Sequence, residues 1–179
     1  SRYISEESFA GGILACANHL SNFCERVYLV TTLGKEQSQE DFIRKRLQPN
    51  VVRHFFYGKG KTIIKRRFVD PTFIQKLFEV CFIPGPALEP AVQAQIDDFL
   101  ETTLDQYDLV VVADYGHDFF TAKTIELMCE KSRYLVVNAQ TNSANFGFNV
   151  ITKYPKAHFV CLAEPEIRLA IHNRTGPLE

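Results

Sequence analysis

The chain has 179 residues, 46% of them hydrophobic, enough to bury a core in one domain. Its 20 Lys plus Arg against 21 Asp plus Glu leave a formal charge of -1, which argues against a nucleic-acid or anionic-membrane partner and leaves room only for local anion sites. Apolar runs such as Leu109 to Ala113 fall far short of the roughly 20 residues that cross a bilayer. No signal peptide opens the chain, so a cytoplasmic protein is expected. The five cysteines (Cys16, Cys24, Cys81, Cys129, Cys161) show neither CxxC nor paired Cys/His spacing and are expected to be buried reduced thiols.

In FAGGILACANHLSNF, residues 9–23, Ile13, Leu14, Ala17 and Leu20 form a helical stripe after a Gly-Gly opening. ERVYLVTTLG is a strand bounded by Gly34, followed by a short charged helix over 38–47 and a second strand, RHFFY. Next comes GKGKT, which invites a P-loop reading. A P-loop needs glycine five positions before its Gly-Lys-Thr and opens a helix there. Phe55 stands at that position and TIIKRRFVD is β-branched, so Gly58 and Gly60 are read instead as a hairpin turn.

KTIIKRRFVD and KLFEVCFI suggest an antiparallel pair, separated by DPTFIQ and stopped by PGPALEP. Helical periodicity returns in EPAVQAQIDDFLETTL. YDLVVVADYG, almost wholly apolar, fits a parallel strand covered on both faces. TAKTIELMCEKS is a helix, RYLVVNAQ and HFVCLA are strands, and EPEIRLAIHNR opens a helix. Alternation of this kind predicts an α/β layered sheet, mainly parallel, flanked by helices. The chain begins at Ser1 rather than Met and stops soon after a helix opens, so it is expected to be a piece of a longer protein.

Four stretches carry candidate chemistry. Lys65 and Arg67 are two residues apart on a strand, so they share a face and either grip a phosphate or carboxylate or serve as solvated edge charges. Asp114 and Gly116 follow the apolar strand, at the carboxyl end where open α/β sheets bind ligands; either Asp114 orients a substrate hydroxyl, or Asp114 or Asp118 caps the next helix. NAQTNSANFGFN, from Asn138, offers uncharged amides for sugar hydroxyls or for Asx-turns. Glu166 lies in the first turn of a helix, where the dipole favours a carboxylate whatever its role.

In order and spacing these stations resemble the ribokinase or PfkB-type carbohydrate kinases, most closely the heptose-phosphate kinase branch, found fused or adjacent to a cytidylyltransferase-like nucleotidyltransferase in bifunctional ADP-heptose synthesis proteins. GGILACANHL is similar to the family's Gly-Gly helix start, TIIKRR to its T-x-x-K-x-R lid strand, VVVADYG to its D-Y-G strand end, and EPEIRLA to the Glu of its N-x-x-E helix. The resemblance covers most of the chain. It implies a ribokinase-like sheet with a small β lid, supplied here by residues 54–83, that often pairs with a second lid in a homodimer.

The ligand implied is a sugar phosphate, with ATP and magnesium as cofactors of the intact protein and none expected for this chain alone. By the resemblance Gly11 and Gly12 would approach the sugar, Lys65 and Arg67 would bind its phosphate, Asp114 would lie near its hydroxyls, and Glu166 would join the magnesium and phosphate network. Ala15 stands where the family has Asn, so Asn18 would supply that hydrogen bond; Ala163 stands at the Asn of N-x-x-E, and DYGHD replaces D-Y-G-K-G.

The family's G-A-G-D segment, its anion hole and base, does not occur in these residues, so no catalytic residue is assigned and turnover by this chain alone is not expected. Two functional expectations follow. The chain is the sugar-binding and lid portion of such a kinase without its C-terminal ATP-binding part, or it is an inactive kinase-like binding or dimerisation module. An H-x-G-H nucleotidyltransferase signature is absent from these residues, so that activity is expected only in a neighbouring domain.

Overall fold

The computed structural model describes residues 3–85, 88–142 and 145–177. Pro86 and Ala87 of the expected stop, Ser143 and Ala144 of the amide-rich loop, and the final Leu178 and Glu179 lie outside the described residues. The chain divides into two compact units, Ser1–Gly85 and Pro86–Glu179.

In the first unit the element order is α1 (Ile13–Leu20), β1 (Val27–Glu36), α2 (Glu40–Arg46), β2 (Val51–Lys61), β3 (Ile64–Asp70) and β4 (Gln75–Phe82). α1 starts at Gly12, whose φ of 57° and ψ of -131° are open to glycine and strained for other residues. Its apolar stripe packs on the parallel pair β1–β2. Ala17, Leu29 and Val51 are buried together, with Ile13, Leu14, Val27, Leu47 and Phe55 around them.

Two expectations change here. Gly34 does not end its strand, because β1 runs on to Glu36. Nor do Gly58 and Gly60 form a hairpin turn. Both lie inside β2, Gly58 is in register with Gly34, and the register then slips so that Glu36 meets Lys61. The glycines build a bulge, with Gly60 at φ 80°, because positive φ serves a bulge as well as it serves a turn. Thr62 then buckles the end of the pair. Its hydroxyl accepts the Gly34 N–H at 2.9 Å and donates to the Ser38 carbonyl at 2.7 Å. Thr62→Val keeps the shape and deletes both bonds, so it is expected to lower stability by about 2 kcal/mol, read as a lower urea midpoint with an unchanged slope.

β3 and β4 form the expected antiparallel pair, from Ile64 opposite Phe82 to Asp70 opposite Gln75. Since 54–61 belongs to the parallel sheet, the ribbon is confined to these two strands rather than to all of 54–83. Alternation separates its faces. Phe68 stacks on Phe78 with ring centroids 4.3 Å apart, and Val80 and Phe82 share that exposed apolar face. Lys65, Arg67, Glu79 and Cys81 make up the other face.

The second unit contains α3 (Pro90–Thr103), β5 (Val110–Asp114), α4 (Ala122–Lys131), β6 (Leu135–Ala139), β7 (Phe159–Val160) and α5 (Glu164–Ala170). The strands are parallel in the order β5–β6–β7. Helix residues Ile96, Leu100, Ile125 and Met128 are buried, as are Val112, Leu135 and Val137 of the sheet. A buried polar cluster lies between α3 and α4: Thr124 donates to Asp97 at 2.8 Å, and Gln93 donates to Thr124 at 2.9 Å and to Asp97 at 3.1 Å. Thr121, not Asp114 or Asp118, caps α4 by accepting the Thr124 N–H.

None of the five cysteines is in a disulfide, but only Cys129 is buried. Cys16, Cys24 and Cys81 are half-buried and Cys161 is exposed, so the expectation of buried thiols holds for one residue. Among the described residues no helix is long and apolar enough to cross a membrane.

Candidate functional site

β5 ends on a carboxylate that is 1% exposed. Asp114 Oδ1 accepts the Gly116 N–H at 2.9 Å and the Asn149 amide at 3.2 Å. Asp114 Oδ2 accepts the Tyr154 hydroxyl at 2.7 Å and pairs with the Lys153 ammonium at 2.5 Å. Lys153 also donates to Asn149 Oδ1 at 2.6 Å. The last three partners come from a loop leading through a short 3-10 helix, Ile151–Lys153. Burial is the main force raising the Tyr154 phenol well above its ordinary range, reinforced by the charge of Asp114 and the hydrogen bond to it.

Beside this hub lies a cavity of about 210 Å³ lined by Asp114, Asp118, Phe120, Phe148, Asn149 and Lys153, with Gly116 and Asn145 completing the wall. Gly116 has φ 64°, and a Cβ on it would fall 1.9 Å from the Asn145 amide nitrogen, so the turn after β5 admits no side chain. The expected placement at the carboxyl tip of a parallel strand therefore coincides with a cavity, as open α/β sheets lead one to expect.

The amide-rich loop is organised internally. Asn142 and Asn145 donate to the Tyr115 carbonyl at 2.7 and 2.9 Å, and Asn145 accepts the Asn142 N–H at 2.8 Å. Asn138 donates to the Cys161 carbonyl at 2.7 Å, tying β6 to the segment after β7. Glu166 is 8% exposed, accepting the Ala163 N–H at 2.7 Å and the Thr141 N–H at 3.2 Å, so it closes the start of α5 onto the loop. Both of its oxygens are engaged, and among the described residues no group of three His, Cys, Asp or Glu could hold a metal.

In the first unit Asn18 holds the end of α2, donating to the Arg46 carbonyl at 2.7 Å and accepting the Gln48 N–H at 3.0 Å. Its amide is committed to backbone rather than offered to a ligand. Gly11 and Gly12 are exposed, and a Cβ on Gly11 would meet nothing within 4 Å. Lys65 and Arg67 do share a face, and Arg67 pairs with Glu79 at 2.7 Å. Burial pushes the Glu79 carboxyl up, but the Cys81 thiol bond and the charges of Arg67, Lys76 and Lys65 outweigh it and leave the group below its usual range.

Lys153 and Tyr154 are the residues that sequence reasoning missed, whereas Asn149 closes the amide-rich stretch it singled out. The available signal was a lysine-tyrosine pair just past the amide-rich loop, in ITKYPK.

No family model matches the sequence and no curated protein does. The architecture, parallel sheets flanked by helices with one antiparallel ribbon, is similar to that of solved structures. A structure of a possible 1-phosphofructokinase from Thermotoga maritima matches with TM-score 0.61 and 17% identity, over 76% of this chain and 46% of its own. A proposed phosphofructokinase from Staphylococcus aureus matches with TM-score 0.60 and 16% identity, over 95% of this chain and 53% of its own. At these identities the likeness carries the fold alone, and the chain spans about half the length of these structures.

Proposed function

We propose that this chain is the sugar-binding and lid portion of a PfkB-like carbohydrate kinase that takes a heptose-type sugar phosphate, within a longer cytoplasmic protein that also carries a nucleotidyltransferase. The observation that carries the reading is the buried Asp114 hub beside a cavity at the strand tip, in a fold shared with sugar kinases. Gly11 and Gly12 leave backbone open to the sugar. Lys65 and Arg67 take the phosphate, which must draw Arg67 away from Glu79, and two charge-assisted contacts then replace one. The exposed Phe68, Phe78 and Phe82 face of the ribbon meets the same face of a second copy in a homodimer.

ATP and magnesium act in the intact protein, and no step is assigned to them through residues of this chain. A second reading, a binding or dimerisation module without turnover, is favoured by Ala15, Ala163 and the engagement of Glu166 in a helix cap. Both readings are tested on the full-length gene product with ATP and heptose phosphates. Phosphoryl transfer is expected under the first. Binding of the sugar phosphate without transfer, or dimerisation with neither, selects the second, and the absence of all three refutes both.

A further inference from the structure

The Asp114 carboxylate offers about four acceptor positions, and four donors fill them: Gly116, Asn149, Tyr154 and Lys153. A ligand hydroxyl cannot donate to it without displacing one of these groups. An ammonium has three N–H donors. Lys153 spends two, on Asp114 and on Asn149, and its side chain lines the cavity. The hub thus turns a carboxylate that looks like a ligand group into a device that aims a lysine.

We infer that Lys153 is the ligand-facing donor of this cavity, that it takes an oxygen of an uncharged, hydroxylated sugar ring, and that Asp114 is its positioning residue. The inference rests on the sugar-binding reading above and adds a residue and a ligand chemistry to it. Charge decides against an anion here. The lysine is already matched by Asp114, so it carries little net attraction for a phosphate. Phe120 and Phe148 supply apolar surface for the C–H faces of a ring, and the volume suits one small ring rather than a nucleotide.

The test is calorimetric titration of the 179-residue chain with D-glycero-D-manno-heptose, its 7-phosphate and inorganic phosphate. Both heptoses are expected to bind the native chain. Lys153→Met is expected to weaken both by about tenfold or more. Should the methionine variant fail to fold, Lys153→Arg decides, because it keeps the ion pair with Asp114 while displacing the donor, and it too should bind about tenfold more weakly. For the positioning role, the Lys153 ammonium resonance in Asp114→Asn should broaden as heptose binding falls. A folded Lys153 variant that binds free heptose within about twofold of native overturns the inference and leaves the sugar-binding reading standing. Loss confined to the phosphorylated ligand overturns the hydroxyl assignment. An unchanged ammonium resonance alongside lost binding overturns the positioning role, and a native chain that binds neither heptose overturns both the inference and the reading on which it rests.

Discussion

Asp114→Ala is expected to destabilise the second unit by about 3–5 kcal/mol, a large share of the roughly 5–15 kcal/mol by which folded domains exceed their unfolded chains. The carboxylate has no access to water, so its solvation comes entirely from the Gly116 N–H, the Asn149 amide, the Tyr154 hydroxyl and the Lys153 ammonium. Removing it strands the Gly116 N–H and the Tyr154 hydroxyl, while Asn149 keeps the Asp114 and Gln140 carbonyls as acceptors. Lys153 keeps its bond to Asn149, retains partial access to solvent and can turn outward, which limits its share. Tyr154 is buried and cannot. Asp114→Asn keeps an acceptor for Gly116 and Asn149 but turns an N–H group toward Lys153 and Tyr154, so a smaller loss of about 2 kcal/mol is expected.

Chemical denaturation of the three proteins measures this order, and alkaline titration checks its cause. Tyr154 keeps its proton above its ordinary range in the folded chain, so the unfolded chain releases that proton first, from about pH 10 upward. The contribution is therefore complete below that pH and is lost as pH rises. In Asp114→Ala the charge and hydrogen bond of Asp114 that support the raised value are gone, burial and the neighbouring Cys129 remain, and Tyr154 should ionise at lower pH than in the native chain when followed by tyrosinate absorbance.

What the sequence discloses about this site follows from how locally each signal is encoded. The strand ending at Asp114 was readable because an unbroken apolar run stops on a carboxylate, and its placement at the strand tip follows from parallel-sheet geometry. Two partners of that carboxylate, Lys153 and Tyr154, were not readable. Tyr154 lies 40 positions away and reaches it through a loop and a 3-10 helix that leave no periodic pattern. Asn138, Asn142, Asn145 and Glu166 were visible as chemistry but ambiguous in use. An amide or carboxylate serves a backbone N–H or carbonyl as readily as a ligand, and only the fold brings Tyr115, Cys161, Ala163 and Thr141 within reach. Lys65 and Arg67 were placed on one face because a strand has period two. Their counter-charge, Glu79, comes from the next strand, whose register no local pattern fixes.

The misreading of Gly34, Gly58 and Gly60 leads to the second large effect expected, which lies in the first unit. A Cβ on Gly34 would fall 2.3 Å from the Lys61 carbonyl carbon, 2.4 Å from the Gly60 oxygen and 2.4 Å from the Thr62 nitrogen. All three are backbone atoms, so no rotamer change relieves the overlap and β1 must part from the end of β2. Gly34→Ala is therefore expected to cost upward of about 3 kcal/mol, beyond the usual range for an added methyl group, and to speed amide exchange along Leu33 to Lys61 as the Gly34 bond to Thr62 opens. Gly11→Ala is the matched control. Nothing lies within 4 Å of the added carbon, so stability should stay within about 0.5 kcal/mol of native. The pair separates two reasons for a glycine. At Gly34 the missing side chain makes room for the protein's own backbone. At Gly11 it leaves empty space that an added methyl group enters without contact.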